Sequence, residues 1–336
     1  MASKNSTNKI KKIKKTNSKI NQQENQNNII DNIEIVINYT KPILKWVGGK
    51  TQIINKVIDK FPKEITNYHE LFVGGGSVLL ALLDSVKHKK IKVSGTINAY
   101  DLNETLINLY INIQKNHQEV IQTLQKITEE YSKIQGDSIN RKPKNLEEAL
   151  TSQESYYYWI RSKFNDLEQE EKNKVLGTTY FIFLNKTCFR GVYREGPNGF
   201  NVPYGHYKNP SILDKEHIKK VSKLIEKVNF IHSGFDDSFK NNNINKTDFL
   251  YLDPPYAPEN ETSFVGYTSD GFNLNQHKLL FKLCKDYNFL MSNADVKLVR
   301  DNFGDTKFTI ESIDCRRAIN SKKPDAKTKE VLIKSF

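Results

Sequence analysis

The chain has 336 residues, 37% of them hydrophobic, which is enough for one large or two modest domains around a buried core. Lysine and arginine total 51 against 39 acidic residues, and the formal net charge of +12 favours a polyanionic partner. No apolar run approaches the length of a membrane span, and the lysine-rich start lacks the hydrophobic region of a signal peptide. These features argue against a membrane protein and predict a soluble, intracellular one.

The three cysteines, Cys188, Cys284 and Cys315, are odd in number and far apart. They form no C-x-x-C pair and lack the histidine spacing of a zinc site, so we expect a reducing compartment and no metal. The expected location is the cytoplasm of a prokaryote or, if a virus encodes the protein, the host cell.

Residues 1–38 are rich in Asn, Lys, Ser and Gln and contain too few apolar side chains to fold alone. Lysines cluster between residues 9 and 15, and we predict a disordered basic tail. The cluster could add non-specific phosphate contacts or act as a nuclear address, and the base composition of the gene would explain it equally well.

A glycine-rich turn follows the first predicted strand of the folded region. Residues 68–72 are typical of a strand, 73–77 of a glycine loop, and the apolar residues after them of a helix. Such a turn lets a cofactor approach the backbone closely, although its spacing is not the G-x-G-x-x-G of dinucleotide sites. A second strand, 95–100, ends in Asp101, which is well placed to accept hydrogen bonds from ribose hydroxyls. Upstream, residues 45–50 (K-W-V-G-G-K) fit a loop that closes over a cofactor.

Helix formers and aromatic residues then interrupt the alternation of strands and helices. Residues 152–185 have helical periodicity, and their aromatic side chains are expected to pack in the core rather than stack on bases. The residues expected in this core are Tyr156, Trp159, Ile160 and Phe164. We predict that 117–227 form an inserted, mainly helical domain between two parts of a catalytic domain, 39–116 and 228–336.

Apolar runs at 228–231, 249–252 and 288–292 resume the alternation, and candidate strands at 308–313 and 330–333 end it. The pattern predicts an α/β fold in which a mostly parallel sheet, flanked by helices, ends in an antiparallel hairpin.

The tetrapeptide Asp253-Pro254-Pro255-Tyr256 follows one of these apolar runs. Consecutive prolines lack backbone N–H donors and hold the chain extended, so the tetrapeptide cannot continue the hydrogen bonding of the strand and is expected to lie just beyond its end. It offers a carboxylate, a carbonyl before a proline and an aromatic ring, which suit a planar base with an exocyclic amine. An ordinary turn is the alternative for these four residues taken alone.

Three motifs in this order, K-W-x-G-G-K, F-x-G-x-G-S at 72–77 and D-P-P-Y at 253–256, resemble those of the Dam-type DNA adenine N6 methyltransferases. The resemblance extends from about residue 41 to the C-terminus, and residues 184–194 and 200–205 look like the family's target-recognition hairpin and the segment after it. It implies a Rossmann-like S-adenosylmethionine-dependent methyltransferase fold with an inserted target-recognition domain that contains a β-hairpin. The expected partner is double-stranded DNA, and the expected oligomeric state is a monomer or weak dimer.

The resemblance assigns catalysis to Asp253, Pro254, Pro255 and Tyr256. Adenine hides its amine within the base pair, so an enzyme that methylates it must extrude the base. The Asp253 carboxylate and the Pro254 carbonyl would accept the two amine hydrogens and aim the nitrogen lone pair at the sulfonium methyl, while Tyr256 stacks on the ring. This chemistry needs no covalent nucleophile.

The cofactor set that the resemblance implies contains a methionine-binding group, a glycine loop, a ribose ligand and an adenine-binding aromatic residue. Trp46, Gly48 and Lys50 bind the methionine part, and Phe72, Gly74 and Gly76 belong to the glycine loop. Asp101 binds the ribose, Phe235 packs on the adenine, and Asp253 lies at the methyl group. Asp236 is assigned to the exocyclic amine of the cofactor, with Asp237 an equally good candidate. Two acids after a strand also typically start a helix.

The DNA-binding set that the resemblance implies is Lys45, Phe189, Arg190, Arg194, Arg316 and Arg317. Lys45 and Arg194 are expected on bases, since an arginine fork reads guanine bidentately, and Phe189 is expected to wedge into the stack. Arg190 stands where many relatives carry asparagine, so a GATC-like site is an expectation that this residue puts in doubt. Arg316 and Arg317 are expected on phosphates, or else on solvated surface.

The predicted activity is therefore site-specific transfer of a methyl group from S-adenosylmethionine to N6 of a flipped adenine in duplex DNA. Two other classes stay open: an amino methyltransferase acting on RNA or on N4 of cytosine, and a catalytically silent DNA-binding protein. The sequence leaves open whether the enzyme serves restriction and modification, solitary marking or a virus.

Overall fold

A computed structural model describes residues 37–241, 244–258, 272–316 and 327–336, and within these ranges all side chains except those of 314–316 and 327–329. Tyr39–Phe336 form one compact unit. Residues 1–36 of the predicted basic tail and the predicted phosphate contact Arg317 lie outside the described residues.

The described chain alternates strands and helices at both ends and is mainly helical between them. The helices are α1 (Ile54–Ile58), α2 (Ser77–Lys87), α3 (Glu104–Lys133), α4 (Leu146–Ala149), α5 (Gln153–Asp166), α6 (Gln169–Lys172), α7 (Val175–Thr187), α8 (Lys215–Leu224), α9 (Phe235–Asn241), α10 (Leu274–Cys284) and α11 (Lys297–Phe303). The strands are β1 (Glu64–Ile65), β2 (Tyr68–Glu70), β3 (Lys92–Val93), β4 (Ile97–Asp101), β5 (Glu195–Gly196), β6 (Gly199–Phe200), β7 (Val228–His232), β8 (Phe249–Leu252), β9 (Asn288–Ala294), β10 (Thr309–Arg316) and β11 (Lys327–Lys334).

Seven of the described strands form the central sheet, in the order β10-β11-β9-β8-β2-β4-β7. The pairs from β9 to β7 are parallel, while β11 pairs antiparallel with both β9 and β10. The prediction of a mixed α/β fold with a mostly parallel sheet and a final antiparallel hairpin is therefore confirmed.

Strand order reverses between β2 and β8, because the chain extends the sheet through β4 and β7 on one side and through β8 and β9 on the other. In open α/β sheets, ligands bind beyond the carboxyl ends of the strands at such a reversal. The register pairs Tyr68 with Phe249 and Glu70 with Tyr251. The glycine loop (73–77) after β2 and the D-P-P-Y loop (253–256) after β8 therefore leave the sheet side by side.

Helix α3 has a kink at Asn116, the residue where the first catalytic part is predicted to end. Its N-cap, Asn103, accepts a hydrogen bond from the Leu106 N–H at 2.9 Å. The backbone leaves helical geometry at Asn116 (φ −125°, ψ 23°) and resumes it as far as Lys133. The division into an inserted domain and a two-part catalytic domain stays a prediction.

The core prediction for the middle helices is confirmed at Tyr156, Ile160 and Phe164, which are all buried. Trp159 is only partly buried, and the Lys163 ammonium lies 4.4 Å from its ring centroid. The helical pattern predicted over 152–185 corresponds to α5, α6 and α7, which are separated where Leu167 and Lys174 adopt extended backbone angles.

The strands of the predicted recognition hairpin are short, and they begin after the 184–194 segment that suggested the hairpin. Within the recognition segment (189–200), β5 and β6 pair antiparallel over two residues each. Phe189–Gly191 form a turn of 3₁₀ helix instead of a strand. Among the described residues, no helix is long and apolar enough to cross a membrane, and no three His, Cys, Asp or Glu residues are grouped as metal ligands would be.

Candidate active site

The glycine loop is shaped by contacts that a larger residue would disturb. Gly76 has a φ of +73°, a left-handed conformation that favours glycine, and a Cβ at this position would lie 2.7 Å from the Tyr110 hydroxyl. A Cβ at Gly75 would lie 2.7 Å from the Cβ of Trp46. The Gly74 N–H donates to Asp101 Oδ2 at 2.9 Å, and the Tyr110 hydroxyl donates to the Gly74 carbonyl at 3.3 Å. The predicted cofactor residues Trp46, Gly74, Gly76 and Asp101 therefore lie together.

Trp46 connects this loop to the recognition segment. Its ring stacks on Tyr193, with centroids 5.6 Å apart, and meets Phe181 edge-on at 6.3 Å. Trp46 thus packs against the glycine loop and also contacts the residue that precedes Arg194. The Trp46 side chain therefore lies between the predicted cofactor loop and the predicted DNA-binding segment, and contacts both.

Lys50 joins the first motif to the D-P-P-Y loop. Its ammonium donates to Asp253 Oδ2 and to the Gly48 carbonyl, each at 2.6 Å, and lies 5.1 Å from the Tyr256 ring centroid. The Lys50 side chain is 4% exposed and that of Asp253 is 18% exposed. Burial raises the pKa of Asp253 to about 6, although the Lys50 charge opposes the rise. Asp253 is therefore a partly shielded carboxylate that loses its proton slightly below neutral pH.

A second buried acid, Glu70, lies at the carboxyl end of β2. Its Oε2 accepts the Tyr68 hydroxyl at 2.7 Å, and the residue is only 2% exposed. Burial raises the pKa of Glu70 to about 8, and the charge of Asp253 raises it further, against the hydrogen bond from Tyr68 and the charge of Lys50. Glu70 therefore holds its proton at neutral pH, which leaves Asp253 as the ionised partner of Lys50.

The D-P-P-Y loop is attached to the antiparallel end of the sheet by two hydrogen bonds. The Tyr256 hydroxyl donates to Glu330 Oε2 at 2.8 Å. The Ala257 N–H donates to the Oδ1 of Asn293, which is fully buried in β9, at 3.0 Å. Because Glu330 pairs with Ala294 in the ladder between β11 and β9, both bonds come from one rigid part of the sheet.

The remaining predicted cofactor residues border the same region. Asp101 Oδ1 accepts the Asn103 N–H at 2.9 Å, and burial raises its pKa. Phe72 and Phe235 contact each other with ring centroids 5.9 Å apart. Asp236 follows in the first turn of α9, where the Lys240 ammonium lies 3.7 Å from its Oδ2. Asp236 and Asp237 therefore lie in the first turn of a helix, as expected if the two acids serve only to start that helix.

Lys45 and the start of the recognition segment are held together by one amide. Asn185 accepts the Lys45 N–H through Oδ1 at 2.9 Å and donates through Nδ2 to the carbonyls of Lys45 (2.8 Å) and Gly191 (3.0 Å). Arg190 has a φ of +58°, a left-handed conformation that asparagine adopts more readily than arginine. Phe189 is 49% exposed, and the Arg190 guanidinium lies 5.2 Å from its ring centroid.

Arg194 lies at the base of the short hairpin. Its Nε donates to Asn201 Oδ1 at 2.6 Å, and its Nη2 donates to the Asn201 carbonyl at 3.3 Å. These bonds orient the guanidinium of an exposed residue. Arg316 ends β10, opposite Lys327, and its side chain is outside the described part of the structure.

The sequence patterns missed Glu70, Glu330, Asn185, Asn201 and Asn293. Glu70 carried a usable signal, because it ends the strand just before the glycine loop, where ligands bind in α/β folds. Glu330 and Asn293 carried none, because each bonds a residue from a distant part of the chain. Asn185 and Asn201 have partners six and seven residues away, but no motif marks them.

The fold and this site define a methyltransferase-type α/β enzyme, and comparison with known proteins identifies its family. Residues 46–319 match the D12 class N6 adenine-specific DNA methyltransferases. The chain is 36% identical over 299 residues to the Type II methyltransferase M.MjaIII of Methanocaldococcus jannaschii, over 84% of this chain and 93% of that protein. It is 28% identical over 297 residues to a DNA adenine methylase of Haemophilus influenzae, over 86% and 91%. A Retron Ec67 DNA adenine methylase of Escherichia coli is also 28% identical, over 87% and 90%.

The chain therefore belongs to the D12 class of N6 adenine-specific DNA methyltransferases. Its predicted membership of the Dam-type adenine methyltransferases is confirmed, and its function is methylation of adenine in DNA.

Proposed function

We propose that this protein transfers a methyl group from S-adenosylmethionine to N6 of an adenine extruded from a specific site in double-stranded DNA. The observation that carries the proposal is the position of Asp253. Its carboxylate leaves the sheet beside the glycine loop, where the strand order reverses, and is held 2.6 Å from the Lys50 ammonium.

The residues around the glycine loop fit S-adenosylmethionine. The backbone of Gly74–Gly76 carries no side chain that would separate it from a ligand, and Cβ atoms at Gly74 and Gly75 would meet the Trp46 side chain. Asp101 is a carboxylate suited to ribose hydroxyls, and Phe235 and Phe72 present aromatic surface suited to adenine. We assign Trp46, Gly48 and Lys50 to the methionine part. When bound, this cofactor supplies an electrophilic methyl group.

The roles of the D-P-P-Y loop follow from the acid–base state of its carboxylate. Ionised Asp253 and the Pro254 carbonyl accept the two hydrogens of the adenine amine, so the nitrogen lone pair is less delocalised into the ring and is directed at the methyl group. Tyr256, fixed through its hydroxyl by Glu330, provides a flat surface for the extruded base. Pro254 and Pro255 keep the loop stiff, which holds both acceptors in position.

Site recognition is assigned to the recognition segment together with Lys45. Arg194, oriented by Asn201, is the candidate for bidentate reading of a guanine, and Phe189 is exposed enough to enter the base stack. Arg190 and Arg316 complete the proposed DNA-binding set. A GATC-like site and action as a monomer or weak dimer are parts of this proposal.

The Asp253→Ala variant tests the mechanism. We expect methyl transfer to fall by about 100-fold or more, because the acceptor for the amine is removed, while DNA affinity is retained. The matched control is Asp286→Ala, which removes an exposed carboxylate between α10 and β9, outside the D-P-P-Y loop and the proposed cofactor site. Undiminished transfer by Asp253→Ala would refute the proposed mechanism.

A further inference from the structure

Tyr193 attaches the recognition segment to the body of the protein. It precedes the exposed Arg194 but is itself half-buried, with its ring among three other aromatic rings. The ring stacks on Trp46 with centroids 5.6 Å apart and an interplanar angle of 25°, and it meets Phe181 of α7 edge-on at 5.0 Å. The Phe200 ring, from the second strand of the hairpin, lies 5.7 Å away. Stacked and edge-on ring contacts favour one orientation of the ring, so Tyr193 has a fixed position between the hairpin and Trp46.

The Tyr193 hydroxyl forms a second connection, which leads to the ribose side of the cofactor site. It donates to Glu195 Oε1 in β5 at 2.5 Å. Burial and then the Glu195 charge raise the pKa of Tyr193, whereas the Asn103 side chain, which hydrogen-bonds to the same hydroxyl, lowers it. The Asn103 backbone N–H donates to Asp101 Oδ1 at 2.9 Å. Asn103 therefore connects the Tyr193 hydroxyl to the carboxylate that we assign to the ribose.

Both connections end at Gly74 of the glycine loop. A Cβ at Gly74 would lie 2.9 Å from Cδ1 of Trp46, so the Trp46 ring occupies the space beside the Gly74 backbone. The Gly74 N–H donates to Asp101 Oδ2 at 2.9 Å. A ligand in the cofactor site that orders Trp46 and Asp101 would therefore order Tyr193 from two directions, because closely packed side chains transmit small displacements.

Two neighbours determine the position of Arg194. Its Nε and Nη2 donate to Asn201, as described above, and its carbonyl accepts the Asn201 N–H at 3.1 Å. These bonds fix Arg194 relative to the hairpin but not relative to the cofactor site. The preceding residue, Tyr193, supplies that second relation through its contacts with Trp46 and Asn103.

We propose that Tyr193 is a positioning residue that couples occupancy of the cofactor site to base discrimination by Arg194. Tyr193 itself touches no base, and it places Arg194 correctly for base reading when the cofactor site is filled. Coupling of this kind is reciprocal. The factor by which the cofactor improves discrimination therefore equals the factor by which cofactor affinity is higher with the preferred duplex than with a substituted one. The proposal rests on the proposed function, because it takes S-adenosylmethionine as the ligand of the glycine loop and Arg194 as a base-reading residue.

The test is DNA binding with and without S-adenosylhomocysteine, the unreactive product form of the cofactor, measured by fluorescence anisotropy. One duplex carries the sequence that the wild type prefers in a binding selection, and the other differs at the base pair whose discrimination is lost in Arg194→Ala. For the wild type, we expect S-adenosylhomocysteine to raise the preference between the two duplexes by about fivefold or more. In Tyr193→Ala this increase should fall below about twofold. Calorimetric titration of S-adenosylhomocysteine into each protein–DNA complex should give the same factors.

Two further variants distinguish positioning from a general loss of packing. Tyr193→Phe retains the ring and its contact with Trp46, so it should keep more of the increase than Tyr193→Ala does. Tyr180→Ala removes another half-buried tyrosine ring, from α7, and should behave as the wild type.

Undiminished cofactor-dependent discrimination in Tyr193→Ala would overturn the proposal, and so would a wild type in which S-adenosylhomocysteine tightens both duplexes equally. An equal loss in Tyr180→Ala would also overturn it, because a general loosening of the structure would then explain the effect. The proposed function fails separately: a wild type that shows the coupling but methylates no adenine would keep the role of Tyr193 and refute the proposed chemistry.

Discussion

The Lys50 ammonium lies 2.6 Å from the Asp253 carboxylate, although 203 residues separate the two in sequence. This pair joins the K-W-V-G-G-K segment to the D-P-P-Y loop, and it favours the ionised form of the carboxylate that we assign to the target amine. Burial and the Lys50 charge act in opposite directions on the pKa of Asp253, and the balance leaves it at about 6.

The pH dependence of the rate should report this balance. Asp253 must be ionised to accept the amine hydrogens, so we expect the single-turnover rate of methyl transfer to rise with pH from 5 to 7 and to reach half its plateau near pH 6. Lys50→Gln removes the cation that favours the ionised form, so the midpoint should move to higher pH. The measurement is single-turnover rate at saturating cofactor and DNA, with Lys115→Gln as the control, since Lys115 is exposed on α3. A rate that is flat between pH 5 and 7, or a midpoint that Lys50→Gln lowers, would contradict this account.

Glu70 should make the protein less stable as pH rises. Its pKa is about 8 in the folded state and near 4.5 when unfolded, so the folded state binds the extra proton between these values. Stability linked to Glu70 is fully present below pH 4.5 and is lost as pH rises through 8, with a slope of about 1.4 kcal/mol per pH unit at most.

Glu70→Gln replaces the protonated acid with a neutral amide of similar shape. We expect it to flatten the pH dependence of the free energy of unfolding between pH 5 and 8, as measured by urea titration at several pH values. Glu64→Gln, at an exposed position on β1, is the control. If the two variants lose stability with pH as steeply as the wild type, Glu70 is already ionised in the folded protein.

The hydrogen bond from Tyr256 to Glu330 should act on the chemical step. Glu330→Ala frees the tyrosine ring, and we expect kcat to fall by about 10- to 100-fold, the range for removal of a hydrogen bond to a charged group. Glu330→Gln keeps an acceptor oxygen and should recover most of the rate, while KM for DNA changes little in both variants.

A double-mutant cycle with Tyr256→Phe separates this role from a general loss of structure. If Glu330 acts through the tyrosine hydroxyl, Glu330→Ala should cost little more once that hydroxyl is gone. Fully additive effects would show that Glu330 contributes in another way.

Arg194→Ala should relax the choice of base at one position of the site. Removal of a bidentate contact takes away about 1 to 3 kcal/mol of discrimination, which is measured as the ratio of kcat/KM between the cognate duplex and duplexes with single substitutions. Asn201→Ala, which frees the guanidinium without removing it, should give a smaller decrease in discrimination at the same position. An equal decline on every sequence would mean that Arg194 contacts a phosphate.

Local sequence patterns predicted the parts of this protein that local forces determine. The four buried residues of β8 and the prolines after them form a short sequence motif, and the glycine loop after β2 forms another. The domain boundary predicted at residue 116 falls on the kink of α3, whereas the packing of α3 against α7 and α8 depends on contacts that no local pattern records.

The partners of the predicted residues could not be obtained in the same way. Asp253 was found from its tetrapeptide, yet its ion pair with Lys50 requires distant segments to meet. Strand β8, which precedes Asp253, lies beside β2 in the sheet, and the Lys50 N–H donates to Ser77 Oγ in the glycine loop that follows β2. The role of Glu330 likewise depends on β11 folding back antiparallel to β9, which brings the last strand to a loop 74 residues earlier. Such contacts follow from topology, and no short motif records them.

Adenine methylation by this chain is tested most directly by product analysis. Purified protein is incubated with S-adenosylmethionine and unmethylated duplex DNA, the DNA is digested to nucleosides, and N6-methyladenine and N4-methylcytosine are quantified by mass spectrometry. The account predicts N6-methyladenine in wild-type reactions and its disappearance in Asp253→Ala reactions. N4-methylcytosine as the product, or neither methylated base, would contradict it.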